Sequence, residues 1–366
     1  MKEEGIQEFV KKWLACILVA GLICLGLLAC EKKENSIQQE DQGEQLITVG
    51  FSQLGAESDW RSANTKSMKE AFSKENGYNL IFEDGQQKQS NQIMAIRTFI
   101  QQEVDYIVLA PVTETGWDTV LQEAKEAGIP VILVDRMVDT DNEDLFTCFV
   151  GSDFELEGKK VTAWLKAYLE KKGIAPEEVN VVNIQGNLGA TAQIGRSEGI
   201  KYAAAEYGWN LLDQKPGDFT QAKGKEVMEY FLKRYPELNV VYCENDNESF
   251  GAIEAIEEAG KKVGTDIQNG DIMVLSFDGV NGEALQYVID QKIACIGECN
   301  PLHGPRVSDI IQSLECGIKP PKLSFVSEEI YVHDQTVKSV SVDGKEYSVT
   351  TMTEKVANRK AEQFGN

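Results

Sequence analysis

At six places in this chain a short apolar run ends and is followed by side chains able to grip a polyhydroxylated ligand. After Phe51 comes Glu57-Ser58-Asp59-Trp60-Arg61, and after Val134 comes Asp135-Arg136. After Gln185 comes Gly186-Asn187-Leu188-Gly189-Ala190, with Arg196 a turn further on. Asn245 and Asp246 follow Tyr242, Asp278 follows Leu275, and Glu298 follows Ile296. Carboxylates accept and guanidinium groups donate hydrogen bonds in pairs, which suits hydroxyls that do both. The apolar C–H face of a sugar ring stacks on an aromatic ring, and Trp60 and Phe219 are the candidates. Taken singly, each residue has a plainer reading: an Asp or Asn after a strand caps a helix, and Asp135 beside Arg136 makes a surface ion pair. Six strand ends pointing to one chemistry is what favours a sugar site.

Bond-making chemistry is thinly represented. The only histidines, His303 and His333, have no metal partner at a ligand spacing. A nucleophile motif and a Walker loop are missing, and Gly186-Asn187-Leu188-Gly189 lacks the GxGxxG order of a dinucleotide turn. The expectation is a binding protein rather than an enzyme, with neither cofactor nor metal.

The residues just named need a scaffold that gathers strand ends. Apolar runs such as Ile47-Thr48-Val49-Gly50-Phe51, Tyr106-Ile107-Val108-Leu109-Ala110 and Val131-Ile132-Leu133-Val134 alternate with helical stretches at 89–102 and 117–127. Gly128-Ile129-Pro130 reads as a helix stop followed by strand entry. A second series runs from 179 to 277. Continuous apolar strands between amphipathic helices mean a parallel sheet covered on both faces, and there are too many strands for one open sheet. The predicted fold class is α/β, with two doubly wound parallel-sheet lobes whose ligand sits beyond the carboxyl ends of the strands.

The full chain of 366 residues carries 36 Lys+Arg against 59 Asp+Glu, a formal charge of −23. That balance argues against a nucleic-acid partner, which needs clustered cations. Lys11 and Lys12 precede an uncharged run at 13–29 that ends in Leu27-Leu28-Ala29-Cys30, the shape of a signal peptide. The end looks like a lipobox, in which Cys30 takes the lipid; the alternative is a plain N-terminal membrane anchor, for which the run is short. Residues 31–45, rich in Glu, Gln and Lys, read as a flexible tether. Either way, the body is expected on the outer face of the cell membrane.

Five cysteines remain in the body: Cys148, Cys243, Cys295, Cys299 and Cys316. They read mainly as small buried hydrophobes, with one disulfide as the alternative. Asp343-Gly344 between Val340-Ser341-Val342 and Tyr347-Ser348-Val349 signals a hairpin, followed by a polar tail.

From about residue 46 to 332 the chain resembles the type I, ribose-binding-like sugar-binding proteins of bacterial ABC importers, and within them the galactofuranose-binding kind. The resemblance is carried by Val49-Gly50-Phe51-Ser52-Gln53, Glu57-Ser58-Asp59-Trp60-Arg61, Asp84-Gly85-Gln86-Gln87-Lys88-Gln89, Ala110-Pro111-Val112 with Thr115-Gly116-Trp117, and Asp135-Arg136. Gly217-Asp218-Phe219-Thr220, Gly224-Lys225-Glu226-Val227-Met228-Glu229 and Glu244-Asn245-Asp246 complete it. It implies a clamp whose chain crosses a hinge near Gly151-Ser152, Glu298-Cys299 and Val326-Ser327. The segments would then be a lipoprotein signal peptide (1–29), a tether (30–45), an N-terminal lobe (46–151 plus 299–326), a C-terminal lobe (152–298 plus 327–345) and a tail (346–366).

By the family's pattern Glu57, Trp60, Arg61, Asp135 and Arg136 hold a monosaccharide from the first lobe, and Arg196, Phe219, Asn245 and Asp278 close over it from the second. Glu298 stands at the hinge where many relatives have Gln. The segment from Asp84 to Gln89 either contributes or simply opens a helix. The implied partners are an ABC permease with its ATPase, and the protein is expected to be a monomer; the same clamp could instead present its sugar to a receptor kinase or chemoreceptor.

Overall fold

A computed structural model describes residues 46–364. The segments expected as signal peptide and tether, with Cys30, lie outside the described residues. The first lobe begins with β1 (Ile47–Gln53), α1 (Asp59–Ala71), β2 (Tyr78–Asp84), α2 (Gln89–Gln101), β3 (Tyr106–Leu109), α3 (Asp118–Glu126), β4 (Val131–Val134) and β5 (Cys148–Gly151). The chain then builds the second lobe from α4 (Phe154–Lys172), β6 (Asn180–Gln185), α5 (Thr191–Tyr207), β7 (Asn210–Pro216), α6 (Gln221–Arg234), β8 (Val240–Cys243), α7 (Asp246–Glu258), β9 (Lys262–Val263), β10 (Asp271–Asp278), α8 (Gly282–Ile289) and β11 (Cys295–Glu298). It returns to the first lobe as α9 (His303–Glu315) and β12 (Leu323–Phe325). It ends in the second as β13 (Ile330–Val332), β14 (Ser339–Val342), β15 (Lys345–Thr351) and α10 (Glu354–Phe364).

The first sheet has the order β12-β5-β4-β3-β1-β2 and is parallel throughout. The second runs β14-β15-β13-β11-β10-β8-β6-β7, with β9 beside β10. It is parallel except where β13 meets β11 and β14 meets β15. This is the expected α/β architecture of two doubly wound sheets. Strands β3, β4, β5, β8 and β10 are buried along their whole length, as strands covered by helices on both faces must be. The chain passes between sheets at 152–153, 299–302 and 326–329.

Two expectations need correction. The segment after residue 345 is no loose tail, because β15 pairs in parallel with β13 and supplies the neighbour that strand would otherwise lack. The turn Asp343-Gly344 has positive φ at both residues, 49° and 76°, the geometry that joins strands of matching twist. Helix α10 then buries Ala357, Lys360 and Phe364. The disulfide alternative also falls: all five body cysteines are free, and all but Cys316 are buried.

Candidate functional site

Between the lobes lies a small cavity lined by Glu57, Ser58, Trp60, Arg61, Asp135, Arg136, Phe154, Ala192, Arg196, Phe219, Asn245, Asp278 and Cys299. Its free interior is only about 20 Å³, room for about one water, so the lobes stand close together over it. Nine of the ten residues expected at the site meet here.

The first lobe presents its share from the start of α1 and the end of β4. Ser58 caps α1 by accepting from the Arg61 N–H at 3.2 Å, which starts the helix so that Trp60 and Arg61 face inward. Arg61 reaches Asp135 at 2.6 Å and Glu57 at 3.1 Å. Burial opposes its charge, but Asp135 and Glu57 outweigh burial and hold the guanidinium pKa above its ordinary value. Arg136 is less well paired: Nη1 donates to the Val112 carbonyl at 3.1 Å, and its nearest carboxylates stand at 3.7 and 3.8 Å. Burial, and next the neighbouring Arg61, lower its pKa to about 10. Arg136 Nε and Glu57 Oε2 are buried without a hydrogen-bond partner. Trp60 Nε1 donates to the Cys299 carbonyl at 2.7 Å, tying α1 to the hinge.

Arg196, on α5, organises the second lobe. Its Nε donates to Glu157 Oε2 at 2.8 Å, Nη2 to Asp278 Oδ1 at 3.2 Å and Nη1 to the Glu244 carbonyl. Asp278 ends β10, and burial raises its carboxyl to about 7 against the pull of Arg196. Asn245 caps α7 with its oxygen, at 2.8 Å from the Glu248 N–H, and uses its Nδ2 to hold the Phe219 carbonyl at 3.1 Å. Glu248 takes the Phe219 N–H at 2.9 Å. Phe219 is thus held from both sides in a left-handed conformation (φ 59°) that a side chain rarely adopts. Asp135 and Asp278 also have positive φ, 67° and 95°, so three cavity residues carry backbone strain.

Glu298 is the exception. It is buried at the hinge but absent from the cavity wall, its Oε1 paired to Lys360 of α10 at 3.1 Å and its Oε2 accepting from the Glu329 N–H at 3.0 Å. The C-terminal helix, not a ligand, occupies this carboxylate. Asp84 also stands apart: it ends β2 and accepts from the Gln86 N–H at 2.8 Å, while α2 starts after Lys88 with no side-chain cap. Sequence reading named Ser58 only within its motif and missed Phe154, Ala192 and Cys299 in the wall and Glu157 behind Arg196. Phe154 was accessible to the logic used, since it follows the end of β5, whereas nothing local marks Glu157 inside a helix.

The lobes also touch outside the cavity. Asn281 Nδ2 donates to Asp59 Oδ2 at 2.7 Å and the Asp59 N–H to Asn247 Oδ1 at 3.2 Å. A second set joins the Met137 N–H to Thr191 Oγ1 at 3.0 Å and the Glu114 N–H to the Gly189 carbonyl at 3.2 Å.

Two doubly wound lobes, three hinge segments and a cavity lined by charged side chains between them define a clamp-type binding protein. Residues 49–301 match the family described as the periplasmic binding protein domain, and the chain belongs to that family, in its type I, ribose-binding-like branch. It is 40% identical over 293 residues to the galactofuranose-binding protein YtfQ of Escherichia coli (strain K12), covering 79% of this chain and 88% of that protein. A solved structure from Mycobacterium smegmatis in complex with β-D-fucofuranose is similar at 43% identity with a TM-score of 0.72, over 78% of this chain and 90% of the other. The periplasmic binding component of the arabinose ABC transporter of Shewanella sp. ANA-3, bound to α- and β-L-arabinofuranose, is similar at 37% identity with a TM-score of 0.73, over 87% and 95%.

Proposed function

We propose that this protein captures a neutral monosaccharide in its furanose form between the two lobes and delivers it to an ABC permease driven by its ATPase. The observation that carries the reading is the balance of the cavity wall: Glu57, Asp135 and Asp278 face Arg61, Arg136 and Arg196, three acids against three bases. Such a wall offers donors and acceptors together, which suits hydroxyls. Glu57 Oε2 and Arg136 Nε, a buried acceptor and a buried donor without partners, are groups a hydroxyl would satisfy. The relatives named for galactofuranose, fucofuranose and arabinofuranose favour the five-membered ring. Capture and release need no bond to be made or broken. Cys30 carries the lipid that keeps the body, a monomer, at the outer face of the membrane.

The test is a thermal-shift screen of the body from Glu31 onward against pentoses and hexoses, including galactose and arabinose. A ligand at a hundred times its dissociation constant adds about 2.7 kcal/mol. A selective rise, lost in Trp60→Ala and Arg61→Ala, is expected; no rise with any sugar would remove the reading. For the anchor, Cys30→Ser should release the protein from the membrane fraction, and retention would refute lipidation there.

A further inference from the structure

The three segments on which the chain passes between the lobes are tied together by one carboxyl. Glu328, on the third segment, accepts at Oε1 from Ser152 Oγ of the first at 2.6 Å and from the Asn300 N–H of the second at 2.8 Å. Ser152 Oγ also lies 3.3 Å from Cys299 Sγ, and Lys160 of α4 donates to the Glu328 backbone carbonyl at 2.9 Å. An oxygen of Glu328, one of Glu157 and the Cys299 sulfur lie within 4.8 Å of one another. The two carboxyls therefore face each other at close range. Glu157 Oε2 is engaged by Arg196, and Oε1 is buried without a hydrogen-bond partner. Two buried carboxylates this close repel each other, and a proton on one of them removes the repulsion and supplies the donor that Glu157 Oε1 lacks. Arg196 keeps the negative charge on Glu157, which leaves the proton on Glu328.

We propose that Glu328 is a positioning residue for the cavity: as a neutral acid it links all three hinge segments and donates its proton to Glu157, which in turn fixes Arg196 in the cavity wall. The inference rests on reading that cavity as the sugar site. Glu157 and Glu328 are faced by Lys160 of the same helix as Glu157, by Arg196 of α5 with Asp278 behind it, by Cys299, and by Ser152 and the Asn300 N–H. Burial, and next the charge of Glu157, push the Glu328 pKa well above the carboxylate range. A group raised in this way keeps its contribution at low pH and loses it as pH rises through the folded-state value. Ionisation then sets two negative charges against each other beside Arg196 and loosens its hold.

The experiment measures sugar affinity by calorimetry for wild type, Glu328→Ala and Glu328→Gln, with galactose and arabinose as probes, from about pH 5 to about pH 9. Wild type should weaken as pH rises. Glu328→Ala should be weaker by about tenfold even at the lowest pH, having lost its partly buried hydrogen bonds to Ser152 and Asn300. Glu328→Gln should recover the affinity and give a flat profile, because an amide donates to Glu157 and accepts from Ser152 and Asn300 at every pH. A Gln variant as weak as Ala, or one keeping the wild-type slope, would overturn the proposal. So would a wild-type affinity that falls on adding a chelator, which would put a cation between the carboxyls. Melting the same proteins without sugar separates the two readings. A wild type that binds neither sugar defeats the sugar site, while a pH slope in its melting temperature that vanishes in Glu328→Gln still finds the proton.

Discussion

Phe219 is held so firmly that a single methyl group placed opposite its ring should be felt as lost affinity. An ideal Cβ at Gly186 would stand 1.9 Å from Phe219 Cζ, 2.2 Å from Cε1 and 2.4 Å from Cε2. Ordinary contact begins near 3.4 Å, so the ring must retreat by about 1.5 Å, a degree of overpacking that costs typically 1–3 kcal/mol. The backbone cannot follow easily, because Glu248 holds the Phe219 N–H, Asn245 holds its carbonyl, and φ is already at 59°. Gly186 is likewise fixed, its N–H donated to Glu244 Oε2 at 2.8 Å. If the ring stacks on the sugar, Gly186→Ala should raise the dissociation constant by about 5- to 150-fold, at 1.4 kcal/mol for each tenfold change. The assay is calorimetric titration of Gly186→Ala, Phe219→Ala and the double variant. The methyl group should cost almost nothing once the ring is gone, giving a coupling close to the whole single-variant effect. An equal penalty in both backgrounds would refute the argument, since the methyl group would then act through something other than Phe219.

Lys360→Met leaves Glu298 buried without its cation and should destabilise the protein by about 3–5 kcal/mol, most of which Lys360→Met with Glu298→Gln should restore; calorimetric melting of both variants tests this. Glu244 is raised to about 7 by burial, against hydrogen bonds from Ser197, the Gly186 N–H and Asn183. Between its ordinary value of 4.5 and about 7 the folded state therefore holds a proton that the unfolded state has lost, so stability falls as pH rises across that window. Glu244→Gln should flatten that part of the melting-temperature profile, and an unchanged slope would count against it. Asp59→Ala removes the carboxylate that meets Asn281 outside the cavity, and stopped-flow release should quicken by about two- to tenfold with the order of preferred sugars unchanged.

The rule that ligands lie beyond strand ends made most of this site legible, because the relevant residues directly follow β1, β4, β6, β8 and β10 or open the next helix. Glu298 obeys the same rule at the end of β11 and still lies outside the cavity wall. What occupies it is Lys360, 62 residues later, and no local pattern announces a partner at that separation. The C-terminal segment was misread for a related reason. A short polar helix looks like a tail until a sheet edge, here β13, is known to need the strand before it. Cys148 and Cys243 were legible because apolar runs surround them, whereas Cys299 reaches the cavity only through the path of the hinge.

The residues that face the ligand are also among the least comfortable in the fold, and the groups behind them explain how they stay in place. Positive φ at Asp135, Phe219 and Asp278 costs of order 1–3 kcal/mol each. Each is countered by a charged or hydrogen-bonded partner: Arg61 for Asp135, Glu248 and Asn245 for Phe219, Arg196 for Asp278. Three of those partners, Arg61, Asn245 and Arg196, line the cavity themselves, so site and support are one network rather than a site laid on an indifferent scaffold. Side chains fixed in this way lose little freedom when a sugar arrives, and the binding energy is left for drawing the lobes together. Loosening any one support should therefore weaken affinity without changing which hydroxyls the wall can address.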